Sequence, residues 1–275
     1  MKIKYLGTGA AEGVPSMFCQ CANCKKSRAL GGRNLRSRSQ ALINDELLID
    51  FNADSYWHFI QYNIDWERVC GILITHAHPD HLYPAEAEIA KPSLSNAHRQ
   101  VRFYASQRGY EMLMEWIPMT KGQADATLIE AGKSFTLQGE HKYVITPLAA
   151  NHDLKSTPLI FAIECEGKRM LYAHDSGYFL EETWQQLKTL GHFDLLSLDC
   201  THCNLKGKPY DGRHMSFDIN LEVIKRMKEQ GNVDDTTKIV VNHFSHNGGD
   251  TYDDMVQIAK PYGITVSYDS MEVEF

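Results

Sequence analysis

The chain has 275 residues, 43% hydrophobic and 23% charged, enough to bury a large core and ordinary for a soluble globular protein. Its formal net charge of −7 argues against a protein that lives by gripping nucleic-acid phosphates, and its one basic cluster, Arg28 to Arg38, is modest. No stretch approaches the ~20 apolar residues of a membrane span, and MKIKYLGTG lacks the apolar centre of a signal peptide, so a soluble, cytoplasmic protein is expected.

In chain order, KIKYL opens as a strand. ALINDELLIDF reads as two short strands around an Asn44-Asp45 turn. CGILIT is a short apolar run that stops at a histidine cluster, and VRFYA and YVITPLAA follow as further strands. PLIFAIECEG and KRMLYAHD read as a hairpin closed by Glu166-Gly167. FDLLSLD and KIVVNHF are apolar runs with polar ends, and GITVSYDSMEVEF reads as a closing hairpin. Between them QRGYEMLMEWI, LEETWQQLKTLG, SFDINLEVIKRMKEQG and TYDDMVQIAKPYG are amphipathic and predict helices. In the third, Phe217, Leu221, Ile224 and Lys228 follow a 3.6 period and Gly231 is the stop. Strands dominate both halves, with helices late in each, which fits two packed sheets with helices outside, an α/β layering.

ILITHAHPDH, residues 72–81, places three histidines and an aspartate within six positions at the end of an apolar strand. His76 and His78 are spaced to reach one metal; Asp80 and His81, turned differently, can reach a second. Imidazole nitrogen and carboxylate oxygen suit zinc, manganese or iron. His152 follows VITPLAAN, Asp175 follows RMLYAH and His243 follows KIVVN, so strand ends supply seven candidate ligands.

The H-x-H-x-D-H run with a later His, Asp and His resembles the metallo-β-lactamase superfamily, and YLGTGAAEGVP resembles the first strand and glycine-rich turn of its phosphodiesterase and tRNA-processing branch. The resemblance spans nearly the whole chain. It implies a single domain, 1–275, folded as an αββα sandwich of two mixed β-sheets flanked by helices, with a binuclear site. By the same resemblance His76, His78 and His152 hold one divalent metal, Asp80, His81 and His243 hold the other, and Asp175 bridges them. HLYPAE follows the motif where many members have a glycine, so the loop after His81 is expected to take its own path. Two close cations sharing a water generate a hydroxide nucleophile and neutralise a bound phosphate, which lets an anionic chain handle an anion. Asp80, beside that water, can orient it or accept its proton.

Cys19, Cys21 and Cys24 in CQCANC are soft ligands at a spacing awkward for disulfides. With His246, three residues after His243, they predict a structural zinc. Of the other cysteines, Cys70 and Cys165 read as core, and Cys200 and Cys203 could form a weak metal site but read more simply as reduced thiols. GTGAAEGVP, CQCANC and NHFSH together resemble the phosphoribosyl 1,2-cyclic phosphate phosphodiesterases of the carbon–phosphorus lyase pathway, with similar cysteine spacing in the pyrroloquinoline quinone accessory proteins. The phosphodiesterase resemblance implies hydrolysis of a small cyclic phosphodiester, a homodimer, and a histidine acting on the leaving oxygen. His214, just before a helix start marked by Ser216 and Asp218, matches that histidine. Arg36, Arg38, Lys206 and Lys208 are the basic loop residues that could meet a terminal phosphate, although each reads more simply as a solvated charge. Three rival readings stay open: a tRNA 3′-end endonuclease, an ester or lactone hydrolase, and a non-catalytic metal-binding accessory protein.

Overall fold

A computed structural model describes residues 1–96, 98–205 and 212–275. Among them fourteen strands form two seven-stranded sheets. The first contains β1 (Lys2–Gly7), β2 (Gln40–Ile43), β3 (Leu47–Ile49), β4 (Gly71–Leu73), β5 (Val101–Ala105) and β6 (Ala124–Leu128), and the second begins with β7 (Phe135–Gln138), β8 (Lys142–Ala149), β9 (Leu159–Cys165) and β10 (Lys168–Ala173). β11 (Leu195–Asp199), β12 (Lys238–Asn242) and β13 (Thr265–Val266) complete the second sheet, and β14 (Glu272–Glu274) returns to the first, beside β1. Both sheets are mixed. In the first, β14-β1-β2-β3 pair antiparallel and β3-β4-β5-β6 parallel. The second repeats the scheme, β7 to β10 antiparallel and β10 to β13 parallel.

Side-chain alternation builds the layers. Leu47 and Ile49 of β3 and Met170 and Tyr172 of β10 fill the space between the sheets, with Tyr5, Phe161 and Val240. Leu48 faces outward with Phe103 and Leu113, the latter on α3 (Gln107–Met114). Leu171 and Ala173 face outward beneath α4 (Glu181–Leu190), α5 (Phe217–Glu229) and α6 (Tyr252–Ala259). The order is therefore helix, sheet, sheet, helix, the αββα sandwich.

Two of the three anticipated hairpins form. Asn44 and Asp45 (φ 49° and 61°) and Glu166 and Gly167 (φ 52° and 74°) are left-handed pairs, as a tight I′ turn requires. The closing hairpin does not form: β13 pairs with β12 while β14 crosses to β1, because the 267–271 connection carries the chain from one sheet to the other. On α5 the buried stripe is Phe217, Asn220, Val223, Ile224 and Met227; Lys228 is exposed, so the period holds but the face is rotated from the expected one. Two helices lay outside the sequence expectation, α1 (Ala22–Leu30) and α2 (Ser55–Tyr62), both short and with weak apolar stripes. So did strands β6 and β7.

Arg36 is a correction as well. It is buried, not solvated, with its guanidinium donating to Thr8 Oγ1 (2.7 Å) and Ser267 O (2.8 Å) and stacked 4.1 Å from the Phe244 ring. Arg38 is held by Asp54 at 2.7 Å. Arg36 is thus committed to packing, and Arg38, half-exposed, to its ion pair. Lys206 and Lys208 lie outside the described residues.

Candidate metal centre

The parallel strands of both sheets end along one edge of the sandwich, and the polar residues that follow them meet there. Three take the left-handed backbone region: Asp50 after β3 (φ 69°), Asp175 after β10 (φ 50°) and His243 after β12 (φ 63°). Such a conformation costs roughly 1–3 kcal/mol for a non-glycine residue. All three side chains are buried in one cluster, so the surrounding fold holds the strain in place.

His76, His78 and His152 present ring nitrogens that lie within 4.8 Å of one another, and Asp80, His81, Asp175 and His243 form a second such group. Asp175 lies between them. Its Oδ2 touches His81 Nε2 and is 2.9 Å from His243 Nε2, while its Oδ1 is 3.9 Å from His152 Nε2. His76 Nε2, His81 Nε2, His243 Nε2 and Asp175 Oδ2 are buried without a properly aligned hydrogen bond. A buried polar atom left so is costly. Four of them converging, all of metal-ligand type, fit a divalent cation better than any protein partner.

The opposite ring nitrogens are held from behind. His81 Nδ1 donates to Asp50 Oδ2 at 2.7 Å, and Asp50 Oδ1 accepts from the Thr75 amide and hydroxyl, both at 2.8 Å. His243 Nδ1 donates to Thr201 Oγ1 (2.8 Å), whose own hydroxyl donates to Asp199 Oδ2 (3.0 Å). His152 Nδ1 donates to the Arg213 carbonyl, and Asp153 Oδ2 lies 3.5 Å from His78 Nε2. Such outer partners fix ring orientation and tautomer.

Electrostatics follow the same geometry. Burial pushes His76 and His152 below the ordinary histidine range. Burial also disfavours charge on His81, but Asp175, Asp50 and Asp80 outweigh it and push the ring up. His243 is raised to about 10, where burial loses to Asp175. Burial works against the charge of Asp80 and Asp175 too; the adjacent histidines nevertheless hold both well below the usual carboxylate range. The cluster thus traps protons where a cation would sit, and cation uptake should release them.

Residues 56–243 match the family model described as the Beta-lactamase superfamily domain, more than half of the chain. The chain belongs to the metallo-β-lactamase superfamily. Membership and the buried His/Asp cluster make this superfamily member a metal-dependent hydrolase. Its fold is similar to that of a diphosphatase from the PhnP family, 21% identical with TM-score 0.73, over 100% of this chain and 97% of that one. It is also similar to Zn(2+)-bound PqqB from Methylobacterium extorquens, 17% identical, TM-score 0.75, covering 100% of both chains. Human tRNase Z, short form, is 16% identical with TM-score 0.63, over 100% of this chain and 99% of that one. No curated protein matches the sequence significantly.

Two more features of this superfamily member lie outside the seven ligands. His214 Nδ1 lies 3.2 Å from Asp199 Oδ2 and 3.3 Å from Asp175 Oδ1, and its ring stacks on His243 at 5.8 Å between centroids. Burial opposes charge on His214, but Asp199 outweighs it and raises the ring above its ordinary value. Cys19, Cys21, Cys24 and His246 form a separate group with ligand atoms within 4.8 Å of one another. His246 Nδ1 faces the Cys19 and Cys21 sulfurs at 3.6 and 3.5 Å. Cys21 caps α1, and the Cys24 amide donating to its sulfur lowers its pKa to about 6, favouring the thiolate that ligates metal. The other four cysteines are buried in the core.

All the candidate ligands picked out in the sequence therefore fall into these groups. The supports Asp50, Thr75, Asp199, Thr201 and Asp153 were not anticipated. A signal existed for two of them: LLID and LLSLD are apolar strands ending in aspartate, the same pattern as RMLYAHD. No helix among the described residues is long and apolar enough to cross a membrane.

Proposed function

We propose that the protein is a dinuclear metal-dependent phosphodiesterase acting on a small cyclic phosphodiester such as phosphoribosyl 1,2-cyclic phosphate. The observation that carries this reading is the convergence of the buried, unaligned His76, His81, His243 and Asp175 atoms between two ligand groups. In it His76, His78 and His152 hold one zinc or manganese, Asp80, His81 and His243 hold the other, and Asp175 serves both. The bound cations supply an acidified water and neutralise phosphate charge.

The chain's own residues do the rest. Asp80, buried beside His81 and kept ionised, would help hold the second cation and orient that water. His214 is held through Nδ1 by Asp199, so its Nε2 is the atom that can hand a proton to the departing ribose oxygen. Burial opposes the charge, but Asp199 outweighs it and favours the protonated ring. The cysteine group with His246 fits a structural zinc, being four soft or borderline ligands at tetrahedral number. The likeness to a diphosphatase of the PhnP family supports a phosphorus-centred substrate. A charge of −7 favours a small ligand over a folded RNA. We take the protein to act in the cytoplasm as a homodimer.

The test is hydrolysis by metal-loaded protein of 5-phosphoribosyl 1,2-cyclic phosphate beside a linear nucleotide diester. Strong preference for the cyclic ester supports the reading. Equal turnover of both, or of neither, refutes the substrate assignment, and a lactone and ester panel then discriminates the alternative hydrolase.

A further inference from the structure

The cysteine group stands apart from the hydrolytic chemistry, and the structure shows what joins the two. Glu12 lies in the glycine-rich turn after β1, in a segment laced to the His243 loop: the Phe244 amide donates to Thr8 O at 3.0 Å and the Ala10 amide to Phe244 O at 3.0 Å. Its carboxylate accepts from the Ser245 hydroxyl and lies 3.6 Å from His246 Nε2, in ion-pair range. The other nitrogen of that ring, Nδ1, faces the thiols of Cys19 and Cys21. One carboxylate oxygen therefore touches a residue two positions after His243 and a candidate ligand of the cysteine group. Ser245 is itself fixed to the catalytic side, since its amide donates to the carbonyl of Thr201, whose hydroxyl receives His243 Nδ1.

We infer that Glu12 is a positioning residue that orients His246 toward the cysteine metal and ties that site to the loop carrying His243. The inference rests on the zinc reading of the cysteine group. A carboxylate near Nε2 attracts the ring proton to that nitrogen and leaves Nδ1 free as a ligand, and it makes the imidazole a stronger donor. Glutamine at position 12 keeps the length and the contact with Ser245 but removes the charge.

The experiment uses cobalt(II) as probe on the full-length protein, following the thiolate-to-cobalt charge-transfer band. Glu12→Gln should weaken cobalt binding at the cysteines about 10–100-fold. Ser245→Ala removes the hydroxyl's contact with Glu12 and its cap on the Asn247 amide but leaves the carboxylate beside His246, and should bind cobalt close to the wild-type value. Thermal unfolding of chelated wild type and Glu12→Gln should coincide, because the carboxylate acts through the metal. Unchanged cobalt affinity in Glu12→Gln, equal weakening in both variants, or a lower melting point of chelated Glu12→Gln would each overturn the inference. Absence of the band from the wild type would sink the zinc reading itself, and Glu12's role with it, which separates the two failures.

Discussion

Asp50→Asn is the most revealing single substitution. Asp50 is fully buried, and its two oxygens are committed in different directions, Oδ1 to the Thr75 amide and hydroxyl and Oδ2 to His81 Nδ1 at 2.7 Å. Asparagine tolerates the left-handed backbone there (φ 69°), so the fold should survive. Its amide must nevertheless face either Thr75 N–H or His81 Nδ1–H, a donor against a donor. If it faces His81, the ring proton moves to Nε2, the atom turned into the ligand group. The carboxylate's loss should cost about 10–100-fold in affinity at the His/Asp centre, or about 1.4–2.7 kcal/mol. A mismatched buried donor should add about 1–3 kcal/mol of destabilisation. Competition against a chromophoric chelator measures the first quantity, and urea unfolding of the chelated protein the second. An Asp50→Asn protein that binds zinc as tightly as wild type would refute the claim that Asp50 sets the His81 tautomer.

Other outcomes follow from the same geometry. His214→Ala should lower the hydrolytic rate by roughly 10²–10⁴ with metal content intact, as expected for loss of a general acid; loss of metal, by elemental analysis, would make His214 a ligand instead. Asp175→Ala should lose most activity and metal, because Asp175 faces both groups; a variant with full metal content and rate would contradict its placement. His58 lies on the buried face of α2, hydrogen-bonded to Gln40 and Ser37, and burial depresses it to about 4, with Asp54 partly opposing. Because its folded pKa lies below the ordinary 6.5, the unfolded chain takes up the proton first, so its contribution is full above pH 6.5 and fades as pH falls toward 4. Between pH 7 and 5 the wild type should lose roughly 2 kcal/mol more stability than His58→Gln in urea titrations; parallel pH profiles would show that His58 is not buried neutral.

The candidate site was legible because its ligands sit where strand periodicity breaks into polar residues, and because H-x-H-x-D-H packs four of them into one loop. The hairpins at Asn44-Asp45 and Glu166-Gly167 were legible for a local reason, their turn chemistry. What escaped depended on long-range packing. GITVSYDSMEVEF has the pattern of a hairpin, but open edges on both sheets each capture one strand. Arg36 looked like a solvated charge, yet Thr8, Ser267 and the Phe244 ring, distant in sequence, enclose it. Asp50 and Asp199 carried the strand-end signal but not the histidine beside them, so their supporting roles appear only in three dimensions. Glu12 sits in a turn whose glycines drew the eye, and its contacts are more than 230 positions away.

The stoichiometry expected of the protein is two ions at the His/Asp cluster and a third at the cysteines. It is tested most directly by stripping the protein with chelator, restoring metal stepwise, and reading bound metal per chain against hydrolysis of the cyclic ester. Three equivalents should bind at saturation, with the rate returning as the two His/Asp positions fill, and with Cys24→Ser lacking only the remaining equivalent. Full activity after exhaustive chelation, or saturation of the His/Asp cluster at a single ion, would contradict it.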